Sequence, residues 1–328
     1  MKRKYMVVLG SLLFLVIILV LGRVILAPQL KALITPPNQG VGPLPVQPAT
    51  GPSDGYGLYE SCSPNEPSVC LSHLNTMAAA GFKLVIDYDQ LSGDAAFQKT
   101  YLDHAQSVGM KVIVSFSDPD FYNGSNLRSD FPALAATCEC NSNEGFITYA
   151  VSLVKNNPAL WGYYIGDEVD ASDHDQMKTD LADVVHQADP NHPRLFIDNP
   201  GHSVSVWHGN SPFYDTAEVI GTDFYPIRDN SPGYPTLEQT GEVAAGVQAY
   251  ADAHNEGSAM VLQAFSYSNY DIPGQPYPTV AQMKYMLSQT LANSHPRLIL
   301  WYSYYDTMSS NDATQHWDDL KSLIAPTS

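Results

Sequence analysis

Short apolar, β-branched runs alternate along this chain with longer stretches in which apolar residues recur every three or four positions. The short runs are typical of buried parallel strands, and the longer stretches are typical of amphipathic helices. The strand candidates are 56–60, 83–88, 111–116, 162–166, 194–198, 218–224, 260–265 and 297–304. Helix candidates include 69–81, 96–109, 177–189, 242–255 and 280–294. Of the connections, only 200–217 looks irregular.

Eight strand–helix units fit into the 274 residues from 55 to 328. This number and size predict an α/β fold of the (β/α)8 TIM-barrel type, which typically has about 250 residues. A doubly wound open sheet is the alternative, but it more often has five or six strands and a glycine-rich first turn. Neither a GxGxxG nor a Walker A sequence occurs, so we favour the barrel.

A different pattern occupies the N-terminus, where Tyr5–Gly22 carries no charge over 18 residues. This is close to the length that crosses a bilayer, and the preceding Lys2, Arg3 and Lys4 are expected to stay in the cytoplasm. The sequence therefore predicts an extracytoplasmic protein tethered by this segment, or secreted if the segment is cleaved. The predicted organisation is an anchor region at 1–34, a Pro/Gly-rich linker at 35–54 and a barrel domain at 55–328.

The charge of the chain limits its partners. Five of the 16 Lys and Arg residues lie in 1–34, which contains no acid, so the remainder has 11 basic and 34 acidic residues and a formal charge of −23. The negative charge of that part would repel nucleic acid and anionic lipid. The membrane is expected as a partner only through the N-terminal segment, and nothing in the sequence indicates an oligomeric state.

Four cysteines fit an oxidising compartment and allow three disulfide pairings. They are Cys62, Cys70, Cys138 and Cys140. We expect Cys62 to pair with Cys70. A bridge between Cys138 and Cys140 would be tight, so cross-pairing of the two loops is the alternative, and a zinc site with this CxC spacing would be atypical.

In a TIM barrel the active site lies where the strands end, and here those positions are acidic and aromatic. The residues that we predict to bind substrate are Tyr59, Glu60, Asp87, Tyr88, Tyr225, Gln263, Tyr267, Trp301 and Tyr304. Aromatic faces stack on sugar rings, and carboxylates bind hydroxyls or transfer protons. A carbohydrate is therefore the predicted substrate.

Single acids at a barrel rim are often structural, because Asp caps helices and turns. We assign that role to Asp89, Asp118, Asp120 and Asp198. Glu168 is different, because it ends the aromatic run WGYYIGDE, whose apolar pocket would raise its carboxyl pKa and make it a proton donor. Asp167 is expected to point to the opposite face unless the strand has already ended, and so to support the site or to cap the loop.

Several segments resemble the retaining glycoside hydrolases of clan A. ALWGYYIGDEVD resembles their fourth strand with its terminal acid/base Glu, and AAAGFKLVIDY and AQSVGMKVIVSFSD are similar to their second and third units. QADPNHPRLFID resembles the approach to strand five, and IGTDFYPI the end of strand six. The resemblance covers most of residues 55–305. It implies a TIM-barrel glycoside hydrolase in which Glu168 is the general acid/base and Tyr225 lies beside the nucleophile.

Two positions depart from that family. It usually has Asn where this chain has Asp167, and it has a nucleophilic Glu at the end of strand seven, where this chain has Gln263. Hydrolysis needs two carboxylates, about 5–5.5 Å apart for retention and about 6.5–9.5 Å apart for inversion. Gln263 can be neither nucleophile nor base.

Three explanations of Gln263 are open. The second carboxylate could be another rim acid, Asp223 first and then Asp306 or Glu60, with Asp223 activating water in an inverting reaction. The barrel could instead have lost hydrolysis and bind glycans only. Finally, strand seven could be shifted so that Asp271 reaches the site.

Other chemistries find little support in the sequence. No HxH ends a strand and no HExxH occurs, and the two histidines of HSVSVWH are expected at the surface, so we predict neither a metal nor another cofactor. No GxSxG elbow is present, and the cysteines are expected in bridges. The predicted function is an extracytoplasmic glycoside hydrolase that cleaves O-glycosidic bonds, with a catalytically inactive glycan-binding barrel as the alternative. A surface scaffold would instead have a filled barrel mouth.

Overall fold

Eight parallel strands close into one barrel, with each strand paired to the strands before and after it in sequence. The computed structural model describes residues 51–199, 211–228, 236–270 and 276–324. Strand one closes the barrel by pairing with strand eight through Gly57 and Leu300. The closed sheet confirms the predicted TIM barrel and excludes the open doubly wound sheet.

The elements are numbered in chain order. The strands are β1 (Gly55–Glu60), β2 (Leu84–Asp87), β3 (Lys111–Ser115), β4 (Leu160–Asp167), β5 (Arg194–Asp198), β6 (Val219–Phe224), β7 (Gly257–Gln263) and β8 (Leu298–Tyr302). The α-helices are α1 (Pro67–Ala80), α2 (Ala95–Ser107), α3 (Leu127–Asp130), α4 (Pro132–Ala135), α5 (Asn143–Val154), α6 (His174–Met177), α7 (Asp183–Ala188), α8 (Thr240–His254), α9 (Val280–Asn293), α10 (Tyr304–Ser309) and α11 (Ala313–Ile324). One π-helical turn, Lys178–Ala182, joins α6 to α7.

All eight strands occur where the apolar runs predict them, with differences at their ends. β7 begins three residues earlier than predicted and ends at Gln263, and β8 ends at Tyr302 because the chain enters α10 at Tyr304. The irregular connection 200–217 has one 3-10 turn, Pro212–Asp215, among its described residues. The sequence analysis did not select α5 or α11.

Alternation along the strands divides the core into two layers. Side chains from the strands alone, such as Leu84, Ile86 and Leu300, form the inner core within the barrel. The intervening strand residues, such as Val85, pack outwards against the helices and form the outer core with side chains such as Leu74 of α1. Residue parity within a strand therefore decides which layer a side chain enters.

A charged cluster closes the end of the barrel where the strands begin. The Asp54 carboxylate accepts hydrogen bonds from Arg297, 2.9 Å from Nε, and from the Trp161 indole at 3.0 Å. The Arg297 guanidinium also lies 5.3 Å from the centre of the Trp161 ring. These contacts pair Asp54, Trp161 and Arg297 with one another at this end of the barrel.

Both disulfides connect cysteines that are close in sequence. Cys62 is bonded to Cys70, as predicted, and Cys138 is bonded to Cys140, so the cross-paired alternative is wrong. The first bridge fixes the loop between β1 and α1.

The predicted anchor and most of the predicted linker lie outside the described residues. Within the described part of the chain, the structure contains no helix with the length and apolar character needed to span a membrane. The domain boundaries at 34 and 54 stay predictions.

Candidate active site at the barrel mouth

Glu168 stands immediately beyond the end of β4, where its backbone adopts a left-handed conformation with φ of 51°. Non-glycine residues rarely take this conformation, and when they do it is often at functional sites. The Glu168 amide donates a hydrogen bond to the Ile197 carbonyl at 2.9 Å, which holds the turn against β5. The Glu168 side chain is exposed.

Asp223 of β6 lies directly against Glu168, and the two carboxyls are close enough to hydrogen-bond. Only 6% of Asp223 is exposed. Burial, the negative charge of Glu168 and the hydrogen bond between them raise the pKa of the Asp223 carboxyl well above its usual range. The pair therefore keeps a proton to a higher pH than an isolated Asp carboxyl would.

Asp167 completes a group of three carboxyls. Its Oδ2 accepts a hydrogen bond of 2.7 Å from the Tyr88 hydroxyl. Burial raises the pKa of Asp167, while hydrogen bonds from Tyr164 and Tyr88 oppose this rise. Asp167 and Glu168 thus both face the mouth, because β4 has ended and the left-handed turn redirects the chain.

A tyrosine wall surrounds these carboxyls. Tyr88, Tyr225 and Tyr302, which we call the mouth tyrosines, are partly buried and cap the inner core. The ring of Tyr302 lies 6.4 Å from that of Tyr88 and 5.9 Å from that of Tyr225. Tyr59 and Tyr164 are fully buried beneath them. The sequence analysis did not select Tyr164 or Tyr302, although Tyr302 continues the inner alternation of Leu298 and Leu300.

Two predicted site acids face away from the mouth. Glu60 and Asp87 are paired in the β1–β2 register, and their neighbours Tyr59 and Ile86 belong to the inner core. By alternation, Glu60 and Asp87 point towards the helices, where Glu60 lies 3.1 Å from His73 of α1. We do not include them in the proposed site.

Two predicted aromatic residues also lie in the outer core. Trp301 is 0% exposed and alternates with the inner residues Leu300 and Tyr302. Tyr304 packs between the His73 ring at 5.0 Å and the Trp317 ring at 5.2 Å. Neither side chain faces the mouth in the structure.

Gln263 ends β7 and is fully buried, and its amide is committed to the backbone. Its Oε1 accepts a 2.8 Å hydrogen bond from the Ile227 amide, and its Nε2 donates to the carbonyls of Ile227 at 3.1 Å and Phe265 at 3.2 Å. Gln263 thus braces the loop after β6, which carries Tyr225.

The remaining rim residues make local contacts. Asp306 accepts hydrogen bonds from Ser303, Asn269 and Tyr270, and Tyr267 lies beneath the Arg228 guanidinium at 4.5 Å. Asp118, Asp120 and Asp198 each accept a hydrogen bond from a residue of their own loop, as in local turns, whereas Asp89 accepts one from Ser61 in the loop after β1. Asp271 and both histidines of HSVSVWH lie outside the described residues.

The residues that the structure describes contain no group of three or more His, Cys, Asp or Glu side chains arranged to hold a metal ion. The mouth carboxyls instead contact each other and tyrosine hydroxyls. This arrangement suits proton transfer and hydrogen bonding to a polar ligand.

Comparisons with known proteins find similarity in structure alone. No family model and no curated protein matches the chain. An endoglucanase structure matches with a TM-score of 0.53 and 12% identity over 82% of this chain and 97% of its own. The endoglucanase Cel5A from Pseudomonas stutzeri matches with a TM-score of 0.51 and 16% identity over 84% and 95%.

A third similar structure, GH5_18 from Streptomyces cattleya in complex with GlcNAc, has a TM-score of 0.53 and 12% identity over 77% of this chain and 71% of its own. Identities this low support the fold and do not transfer individual residue roles. The chain therefore has the (β/α)8 barrel fold of these glycoside hydrolases, in agreement with the clan A resemblance of its sequence.

Proposed function

We propose that this protein is a glycoside hydrolase in which Glu168 is the general acid/base. The observation that carries the proposal is the Glu168–Asp223 carboxyl pair, which joins an exposed carboxyl to a buried one at the mouth of the barrel. Catalytic pairs often have one carboxyl whose pKa is raised by burial and by its partner.

The pair can supply and recover one proton. Asp223 is buried, so the proton reaches substrate through Glu168, which donates it to the leaving glycosidic oxygen as the C–O bond breaks. The pair is then doubly charged, and it takes a proton from the water whose oxygen attacks the anomeric carbon. One water is consumed, and the pair returns to its starting state.

This sequence of steps changes the role that the sequence analysis gave to Asp223. A protonated Asp223 does not activate water in the resting protein, and two carboxyls in hydrogen-bond contact are closer than either standard separation in glycosidases. We assign Asp223 the role of holding the proton. We assign Asp167, which touches Tyr88 and lies beside Glu168, the role of stabilising the positive charge of an oxocarbenium-like transition state.

A carbohydrate is the ligand class that suits the surrounding wall. The mouth tyrosines are only partly buried, so their rings suit the apolar faces of a sugar, and their hydroxyls and the carboxyls suit sugar hydroxyls. The solved structures with this fold include endoglucanases and a protein in complex with GlcNAc, which supports the proposal at the level of fold.

A second candidate function is glycan binding without hydrolysis. Gln263 favours it, because this residue stands where the resembled family carries its nucleophile and its amide is occupied by backbone groups. In that case the carboxyl pair would only hydrogen-bond a sugar.

We place the barrel outside the cytoplasm, tethered by the N-terminal segment. The uncharged stretch Tyr5–Gly22 and the disulfide Cys62–Cys70 support this location. Resistance of the barrel to protease added outside intact cells, with digestion after lysis, would argue against it.

The test compares the full-length protein with Glu168→Gln and with a matched control, Glu242→Gln. Glu242 is exposed on α8, so this control makes the same chemical change away from the mouth. We expect reducing ends to be released from a glycan panel by the wild type and the control, and Glu168→Gln to be about 10²–10⁴-fold slower. Equal rates in all three proteins would refute the role of Glu168. Binding without release would establish the second candidate.

A further inference from the structure

The segments that follow the strands contain almost no basic residues. These segments are 61–66, 88–94, 116–142, 168–173, 199–218, 225–239, 264–279 and 303–312. Arg128 and Arg228 are their only Lys or Arg residues, while each segment contains at least one Asp or Glu. Arg128 is exposed on α3, and the Arg228 guanidinium lies over the Tyr267 ring.

Basic residues instead occur at the other end of the barrel. Lys83, Lys111, Arg194 and Arg297 all lie at or just before the first residue of a strand. Acids such as Asp54 and Glu218 pair with Arg297 and Arg194 at this end and offset their charge, so the excess of negative charge is at the mouth. An end with this charge attracts cations and repels anions.

Carboxylates also extend along the rim beside the proposed site. Tyr122 is buried near the mouth, and burial together with the carboxylates of Asp173, Asp118, Asp167 and Asp170 raises its pKa to about 12. Asp170 and Asp173 are exposed, and neither side chain caps the helical turn that follows it. Neither carboxylate makes the capping contact that occupies Asp118, and Asp173 accepts a hydrogen bond of 3.5 Å from the Ser172 hydroxyl.

An unsatisfied acceptor points to a ligand at the centre of this surface. Although the Asp223 carboxyl contacts Glu168, its buried Oδ1 atom accepts no hydrogen bond from the described residues, and Asp223 is at the inner, mouth-facing end of β6. Buried acceptors without partners are rare in folded proteins. A donor from a bound ligand would satisfy this atom.

We propose that the mouth recognises a sugar with a positive charge, namely a 2-amino-2-deoxyhexose unit whose free ammonium group sits between the carboxyls Asp167, Glu168 and Asp223 and the mouth tyrosines. An ammonium group has three donors and no acceptor, which matches a surface of acceptors. Aromatic ring faces attract the same group through cation–π interactions. The inference rests on the proposed function, because it concerns the substrate of the same site.

The acidic surface of the mouth also predicts which substituents weaken binding of the sugar. N-acetylation removes the charge and replaces ammonium donors with an amide, so acetylated units should bind more weakly. Uronic acids and sulfated sugars carry the charge that the mouth repels.

The first experiment measures binding of short β-1,4-linked oligomers to the full-length protein by calorimetry. Oligomers of glucosamine, N-acetylglucosamine and glucose differ only at C2, and an oligomer of galactosamine tests whether the charge matters more than the C4 configuration. We expect at least one amino-sugar oligomer to bind about tenfold more tightly than the neutral oligomers, with the difference shrinking as salt is added. Equal or tighter binding of the neutral oligomers would overturn the inference, as would binding of no amino-sugar oligomer.

Variants of the rim sharpen the test. Asp170→Asn with Asp173→Asn should lower the affinity for the amino-sugar oligomer about two- to fivefold. Asp318→Asn with Asp319→Asn on α11 makes the same change in net charge and should have no effect. Equal effects in the two double variants would show that only net charge matters and would count against a site at the rim.

Product release from the same oligomers separates this inference from the proposed function. Cleavage of neutral oligomers only would keep the hydrolase and reject the amino-sugar preference. Salt-dependent binding of amino-sugar oligomers without cleavage would keep the preference and reject the hydrolase.

Discussion

Two carboxyl pairs lie at the carboxyl ends of barrel strands, and they have different surroundings. The mouth pair, Glu168 and Asp223, has one exposed member and opens beneath the mouth tyrosines. The lateral pair, Glu60 and Asp87, is 1% and 0% exposed and lies between the barrel and its helices. The two pairs look alike in the sequence because each ends a strand.

The lateral pair is held by closely fitting structural contacts. Asp87 Oδ1 accepts hydrogen bonds from the amides of Cys62 and Asp89, both at 3.1 Å, and Glu60 is 3.1 Å from Nδ1 of His73. Burial, and then the nearby charge of Glu60, raises the pKa of Asp87 to about 7. This cluster joins β1 and β2 to α1 and to the loop that the first disulfide fixes.

A raised carboxyl pKa therefore does not by itself identify an active site in this protein. Burial raises the pKa of one member in each pair, yet only the mouth pair has a partner that substrate can reach. Access, rather than the pKa, distinguishes the chemistry of the two sites.

The largest expected effect comes from Asp223→Asn, which keeps the shape of the side chain and removes its proton. Because the pKa of Asp223 is raised, the mouth pair retains its proton at a pH where an isolated carboxyl has lost it. With a glycan that the protein cleaves, kcat should fall about 10²-fold, and the alkaline limb of the pH–rate profile should move to lower pH. Asp87→Asn is the matched control in the lateral pair. If the alkaline limb moves equally in Asp223→Asn and Asp87→Asn, the two pairs do not differ in their role in catalysis.

The sequence was sufficient to predict the barrel because each strand and most long helices carry their own local pattern. Strands that are buried on both faces are continuous apolar runs. The predicted run KLVIDY, at 83–88, includes all of β2, Leu84–Asp87. The short helices α3 and α4 lie in the long loop before the second disulfide, and four residues are too few for a comparable periodicity.

The candidate site could be predicted only in part, because the sequence locates strand ends more easily than it assigns a side chain to a face. Glu168, Asp223 and Tyr88 lie together as their positions suggested. Glu60 and Trp301 are each one residue out of phase with the inner core, and a single residue reverses the face. The left-handed turn at Glu168 leaves no local sequence signal, since glycine is the usual residue there.

Asp87→Asn should have a smaller effect, on stability instead of activity. The unfolded carboxyl titrates near 3.8 and the folded one near 7, so the free energy of unfolding falls as the pH rises through this interval and levels off above it. Asn does not ionise, so the variant does not lose stability over this interval. Its side-chain oxygen can still accept hydrogen bonds from the amides of Cys62 and Asp89. Unfolding in urea should therefore show the variant about 2–4 kcal/mol more stable near pH 8 and nearly unchanged near pH 4.

His73 makes the wild-type profile steeper in the same direction. Its pKa is raised, chiefly by the hydrogen bond to Glu60, so its contribution is present below pH 6.5 and is lost as the pH rises through its folded pKa. Asp87→Asn should leave most of this part of the pH dependence in place, because the hydrogen bond to Glu60 raises the pKa of His73 more than the charge of Asp87 does. A variant that is less stable than the wild type near pH 8 would contradict the expectation that ionised Asp87 destabilises the lateral pair.

The smallest expected effect separates two tyrosines that each contact an acid. The Tyr88 hydroxyl donates to Asp167 at the mouth, while the Tyr101 hydroxyl lies beside Asp87 in the outer core. The bond from Tyr88 lowers the pKa of Asp167, so Tyr88→Phe should raise that pKa and move the acid limb of the pH–rate profile to higher pH. We expect kcat/KM to fall about three- to tenfold. Tyr101→Phe should lower the free energy of unfolding by about 1 kcal/mol and leave the pH–rate profile unchanged. If the acid limb of Tyr88→Phe does not move, the rate of the reaction does not depend on the charge of Asp167.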